Sequence, residues 1–196
     1  MNLKTIIVIG RSGSGKGTQI ELMREYFKQN DSREFFHLEA GARFRRFIAD
    51  KYYASELARE ISLSGALQPE FLSVWGWVSE LIENLNADTH LLIDGTPRRI
   101  GEAHVLESVF DFFKRENVEI VHIKTSQDWA IDKMKKRGRG DDLSITSLKN
   151  RMEWFDKEVV PVIEYFRMHE AHSFYEIDGE RSIEEVHRDI LSALKL

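Results

Sequence analysis

The chain has 196 residues, a mass of 22.9 kDa and a formal net charge of −5. With 42% hydrophobic and 31% charged residues it can bury an ordinary core, as one domain or one with small insertions. The absence of cysteine excludes disulfides, thiol nucleophiles and thiolate zinc sites, and the acidic balance argues against a general nucleic-acid binder.

No apolar run approaches the ~20 residues of a membrane span. The N-terminal segment MNLKTIIVIG is a short apolar run without a small-residue cleavage site, so neither a membrane anchor nor a signal peptide is expected. Nothing in the sequence points outside the cytoplasm.

Strand-length apolar runs alternate with helical patterns. Leu3 to Ile9 is β-branched and continuous, as in a strand covered on both faces. Glu34 to Leu38, His90 to Ile93, Val118 to Ile123 and Ser173 to Ile177 are four further strand candidates. Ile20, Met23 and Phe27 recur at helical spacing after the first strand. Near the end, Ser182 and Glu185 have the spacing of a capping box, and Ile183, Val186, Ile190, Leu191 and Leu194 line one helical face. This alternation predicts a parallel sheet flanked by helices, with ligands at the carboxyl ends of the strands.

Four of the 12 glycines fall between Gly10 and Gly17, directly after the first strand. Glycine lets the backbone curl and aim successive N–H groups at one anion, and the following helix turns its positive end to the same place. Gly13, Ser14, Gly15, Lys16, Gly17 and Thr18 are the expected phosphate cradle, with Lys16 reaching the outer phosphates. Gly17 stands where other P-loops carry a metal-binding hydroxyl, so Thr18 is read as a phosphate hydrogen-bond donor instead.

GRSGSGKGTQ resembles the P-loop of adenylate kinases and related nucleoside monophosphate kinases, and the likeness continues in order along nearly the whole chain. His37 to Arg45 resembles the segment whose last arginine holds the acceptor phosphate. Gly65 to Glu70 is similar to the end of the monophosphate-binding insert, and Asp94-Gly95-Thr96-Pro97-Arg98 to an Asp-Gly-Phe-Pro-Arg motif. Arg137 to Asp142, with Arg151 beyond, resembles a short lid over ATP, and Ile177-Asp178-Gly179 the strand bordering the donor adenine.

The resemblance implies a P-loop kinase with a five-stranded parallel sheet and a core of 1–39, 69–137 and 151–196. An insert at 40–68 would bind the monophosphate and a short lid at 138–150 would cover ATP. It implies transfer of the γ-phosphoryl group of ATP to AMP, with GMP, UMP or CMP as alternative acceptors. A nucleotide-binding switch is a more distant alternative, since no guanine-reading Asn-Lys-x-Asp segment is present. Lys16, Arg98, Arg137, Arg139 and Arg151 carry over as catalytic cations. Lys133 and Arg181 join the cradle on the ATP side. Ala40, Gly41, Arg45, Leu67, Gly95, Arg98 and Glu102 face the acceptor. Magnesium is expected to arrive with ATP and to meet Asp94 through water. A cytoplasmic monomer is implied, with a cis Thr96–Pro97 bond.

These cations suit the chemistry. Phosphoryl transfer is catalysed mainly by positioning and electrostatics, and arginine's planar fork grips phosphate with paired hydrogen bonds. No general base is needed, because the acceptor phosphate oxygen is already ionised. The seven histidines are scattered, with no H-E-x-x-H or similar spacing, and His37, His90 and His122 are read as structural. Trp75, Trp77, Trp129 and Trp154 are read as helix packing. Several positions depart from the family pattern. Ala42 replaces an aspartate, Thr96 a phenylalanine and Lys133 a base-stacking arginine, and the lid carries no zinc ligands. Glu102 stands where glutamine is usual. A glutamine amide donates and accepts, whereas an ionised glutamate only accepts, which suits guanine N–H groups better than adenine N1.

Overall fold

A computed structural model describes residues 3–138 and 145–196. Five strands form one wholly parallel sheet: β1 (Thr5–Ile9), β2 (Phe35–Glu39), β3 (His90–Asp94), β4 (Glu119–Lys124) and β5 (Ser173–Asp178), in the order β2-β3-β1-β4-β5. All five predicted strands are present, with ends displaced by one or two residues. The flanking helices are α1 (Lys16–Asn30), α2 (Ala40–Ala49), α3 (Tyr53–Leu63), α4 (Glu70–Asn84), α5 (Ile100–Phe112), α6 (Gln127–Arg137), α7 (Ile145–Trp154), α8 (Val160–Met168) and α9 (Ile183–Ala193).

The strands feed two cores, as alternation across a sheet requires. Ile7, Ile9, Leu91, Ile93 and Ile120 point to one face, where Trp77 and Leu81 of α4, Leu106 of α5 and Phe166 of α8 cover them. Ile6, Val8, Leu92, Val121 and Ile123 point to the other, under Ile20, Met23 and Phe27 of α1 and Val186 and Ile190 of α9. The capping box at Ser182 and Glu185 is formed. The predicted apolar face of α9 holds at Val186, Ile190 and Leu194, but Ile183 is exposed in the first turn, before the helix settles onto the sheet.

Between α7 and α8, Phe155–Val159 forms a π-helical turn followed by Pro161. Proline lacks an N–H and its ring crowds the carbonyl four residues back, so a widened turn lets the chain continue without that bond. The span 40–68 carries α2 and α3. Phe47 and Ala58 make a small core of their own there with Leu72 of α4.

Candidate active site

The P-loop lies between β1 and α1, at the carboxyl edge of the sheet. Close approach explains two of its glycines. A Cβ at Gly10 would come within 2.6 Å of the Ile123 carbonyl on β4, and one at Gly13 would strike the Ala130 carbonyl on α6. Gly13 and Gly15 also hold φ of 88° and 89°, where side chains are strained. At Gly15 and Gly17 a Cβ would meet open space. Thr18 is exposed on the first turn of α1, while Ser14 is buried with its hydroxyl unpartnered among the described residues.

Lys16 folds back over the loop, donating to the carbonyls of Gly10 at 2.8 Å and Arg11 at 2.9 Å. Burial pushes its ammonium down to about 8; Arg98 and Arg137 add to this and Asp94 opposes it. Arg98 is also lowered by burial, with Glu102 and Asp94 opposing and Arg151 and Arg99 adding. These mutual fields show that Lys16, Arg137, Arg151 and the Asp94–Arg98 turn, four separate segments, lie near one another. Asp94 ends β3 beside Val8 and Glu39, and its buried Oδ1 has no hydrogen-bond partner among the described residues.

The turn after β3 carries Arg98. Gly95 has φ of 79°, and the Thr96–Pro97 bond is cis, as the resemblance implies. Arg98 Nε donates to the Gly95 carbonyl at 2.7 Å, and its guanidinium lies 5.4 Å from the Trp154 ring centroid. Glu102, 1% exposed, closes this turn. Its Oε2 accepts from the Thr96 hydroxyl at 2.9 Å and from the Arg98 N–H at 3.2 Å. The other oxygen, Oε1, is buried with no hydrogen-bond partner among the described residues, 4.0 Å from Arg99. The departure at Thr96 thus explains the departure at Glu102: the hydroxyl supplies a donor that phenylalanine lacks.

Other expected residues stand farther from this cluster. Arg45, on α2, pairs with Glu39 at 2.7 Å and its side chain is 57% exposed. Ala40 packs on the core, and Gly41 lies against Arg45, 3.2 Å from Nη1 to the position of a Cβ. Leu67 is half-buried at the end of the insert. Lys133 lies over Trp129, 4.5 Å from its ring centroid. Arg181 pairs with Asp189, and Asp178 lies 3.7 Å away. Residues 139–144 of the expected lid, Arg139 among them, lie outside the described residues.

Sequence reasoning missed the contacts that join the insert to α7. The Trp154 indole N–H donates to the Gly65 carbonyl at 3.0 Å, and Asn150 donates to Ser64 at 2.7 Å. Arg99 reaches the Gln68 carbonyl at 2.7 Å. Trp154 therefore does more than pack helices. Its spacing three residues after Arg151 was the available signal. Arg11, within the P-loop segment, pairs with Asp156 and lies 4.4 Å over the Phe155 ring. His90 and His122 are structural, as expected. His90 accepts from the Lys4 N–H at 3.0 Å, and His122 lies 3.4 Å from Glu176.

A glycine cradle ending in a buried lysine, with arginines gathered from three other segments, defines a P-loop phosphotransferase. The family model for adenylate kinase matches residues 8–171. The chain is 28% identical to an adenylate kinase of Corynebacterium urealyticum, over 96% of this chain and 98% of that protein. It is 29% identical to one of Azobacteroides pseudotrichonymphae, over 95% of each chain. It is 30% identical to a uridylate kinase of Saccharomyces cerevisiae, over 98% of this chain and 91% of that protein. The chain belongs to the adenylate kinase family. It is an ATP-dependent nucleoside monophosphate kinase, and the non-catalytic switch is not favoured. No helix among the described residues is long and apolar enough to cross a membrane.

Proposed function

We propose that the acceptor is AMP, phosphorylated by ATP at the edge of the sheet where Lys16 and Arg98 meet. The observation that supports phosphoryl transfer here is the gathering of Lys16, Arg98, Arg137, Arg151 and Asp94 within one another's electrostatic reach at the edge of the sheet. An oxygen of the acceptor monophosphate attacks the γ-phosphorus of ATP, the bond to the β–γ bridging oxygen breaks, and ADP leaves. No proton has to be removed first. The P-loop N–H groups from Gly13 to Thr18 hold the donor phosphates. Lys16 exchanges its two carbonyl partners for phosphate oxygens.

Arg98, seated on Trp154, grips the acceptor phosphate with Arg45. Arg137, Arg139 and Arg151 neutralise the moving phosphoryl group, and Lys133 and Arg181 border the donor nucleoside. Ala40, Gly41, Leu67, Gly95 and Glu102 line the acceptor side. Span 40–68 acts as the acceptor insert and 138–150 as the lid. The bonds from Trp154 and Asn150 to Gly65 and Ser64 support a cleft that closes from that side.

Magnesium fits this arrangement through water at Asp94, whose buried Oδ1 lacks a partner among the described residues. When bound it neutralises charge between the β- and γ-phosphates. The same reading makes the enzyme a cytoplasmic monomer, which gel filtration tests in part. The deciding experiment is coupled turnover with ATP and each of AMP, GMP, UMP and CMP. A highest kcat/KM with AMP is expected; a highest value with any other monophosphate overturns the choice.

A further inference from the structure

We propose that Glu107, His169 and His172 form a binding site for one divalent transition metal of the zinc class, at the far end of the sheet from the nucleotide cleft. His172 immediately precedes Ser173, the first residue of β5, so it sits at the amino edge of the parallel sheet. The P-loop and Asp94 lie at the carboxyl edge. His169 ends α8, and a turn bond from the His172 N–H to the His169 carbonyl, at 3.1 Å, holds the two histidines together. Glu107 comes from α5, so three elements contribute.

The side chains are brought close. His172 Nε2 lies 2.8 Å and 3.0 Å from the two Glu107 oxygens. One potential ligand atom from each of the three residues falls within 4.8 Å of the others. The imidazoles stack at 4.4 Å between centroids, 16° from parallel. Phe110, Phe166 and Tyr165 wall the cluster, and the His172 side chain is only 6% exposed. Apolar walls lower the local dielectric and strengthen charge–ligand attraction.

The donor set selects the ion. Two imidazole nitrogens and one carboxylate oxygen suit zinc, with a water completing the tetrahedron. Ligand atoms about 2.0–2.1 Å from a tetrahedral ion stand about 3.3 Å apart. Glu107 and His172 must therefore separate slightly. The His169 ring must also turn out of the stack, because a nitrogen lone pair lies in its ring plane. Both moves are local, since Glu107 is half-buried and His169 sits at a helix end. An ordinary Glu107–His172 hydrogen bond is the competing account, and it needs no part from His169.

The full chain, stripped with chelator and free of nucleotide, is titrated with zinc chloride by calorimetry, and melted with and without zinc. One equivalent should bind, with a higher melting temperature, because an ion that binds only the folded state stabilises it. Cobalt(II) should give the visible absorption of a tetrahedral ion. His169→Ala and Glu107→Gln should each weaken zinc binding by about tenfold or more. Kinase turnover of His169→Ala should be unchanged, since the cluster is at the opposite edge. Equal zinc affinity in the native chain and His169→Ala, or no rise in melting temperature, overturns the proposal. If Glu107→Gln folds poorly, His169→Ala, outside the Glu107–His172 pair, carries the test alone.

Discussion

Replacing Glu102 by glutamine separates the turn-holding role that the geometry gives this side chain from the base-reading role proposed for it. Its Oε2 accepts from the Thr96 hydroxyl and the Arg98 N–H, while Oε1 is buried with no hydrogen-bond partner among the described residues, 4.0 Å from Arg99. Glutamine is nearly isosteric. Its single oxygen is expected to keep the two tethering bonds, so its amide nitrogen takes the place of Oε1. The group offered to the acceptor base then changes from an acceptor to a donor. A neutral hydrogen bond matched in a site of this kind is worth about 0.5–1.5 kcal/mol, or about 2- to 13-fold. Adenine N1 gains that partner, so kcat/KM for AMP should rise by this factor. Guanine N1–H loses its acceptor, so kcat/KM for GMP should fall by a similar one. Thr96→Val, by contrast, removes a donor from a charged acceptor, a loss of about 1.5–3 kcal/mol, and loosens the turn that carries Arg98. It should raise KM for all four monophosphates together and leave their ranking unchanged. The assay is kcat/KM for AMP, GMP, UMP and CMP in the native chain and both variants. Unchanged ratios in Glu102→Gln would show that Glu102 holds the turn and does not read the base. A native preference for GMP that disappears in Glu102→Gln would refute the choice of AMP.

Lys16→Met should leave the fold intact by circular dichroism, since only two carbonyl contacts at the loop are lost, but lower kcat by orders of magnitude. Arg98→Ala should raise KM for the acceptor more than for ATP; an equal rise in both would show that Arg98 does not hold the acceptor phosphate. With Lys16 pushed down to about 8, ATP binding to the free enzyme should weaken as pH rises through that value, and Lys16→Arg should remove the inflection in calorimetric Kd. The stability effect has the opposite sign. The folded state disfavours the Lys16 charge, so that penalty is fully present below pH 8 and is relieved between about 8 and the unfolded value of 10.5. Denaturant midpoints of native and Lys16→Met should converge across that window.

The sheet was legible because both of its faces are covered. β1 is apolar at every position from Ile6 to Ile9, and no amphipathic alternative competes with a buried strand there. The cradle was legible for a different reason: Gly10 and Gly13 are fixed by backbone contact with Ile123 and Ala130, and such contacts leave a mark in composition. Paired side chains leave none. Nothing in the spacing of Thr96 and Glu102 announces a hydrogen bond, and the sequence departures there suggested base recognition alone. Glu107 and His172 are 65 positions apart, so their pairing depends on how α5 lies beside the end of α8. Arg45 and Arg181 show the converse. Their motifs are legible, yet the structure gives each a carboxylate partner that, in the proposed function, a nucleotide would have to displace.

That exchange has a physical consequence for the whole cleft. Like charges are held together near Lys16 because their members have something to offset burial: carbonyls for Lys16, Gly95 and the Trp154 ring for Arg98. These partners are weaker or more exposed than a phosphate, and guanidinium–phosphate bonds are both charged and bidentate. The cations are therefore preassembled but not saturated. Trp154 connects this state to closure, since one side chain supports Arg98 through its ring and holds Gly65 through its N–H. A phosphate that draws Arg98 forward also acts on the residue that joins α7 to the insert. In the proposed function, binding at the phosphate and movement of the insert would be coupled through a tryptophan that belongs to neither the P-loop nor the acceptor turn.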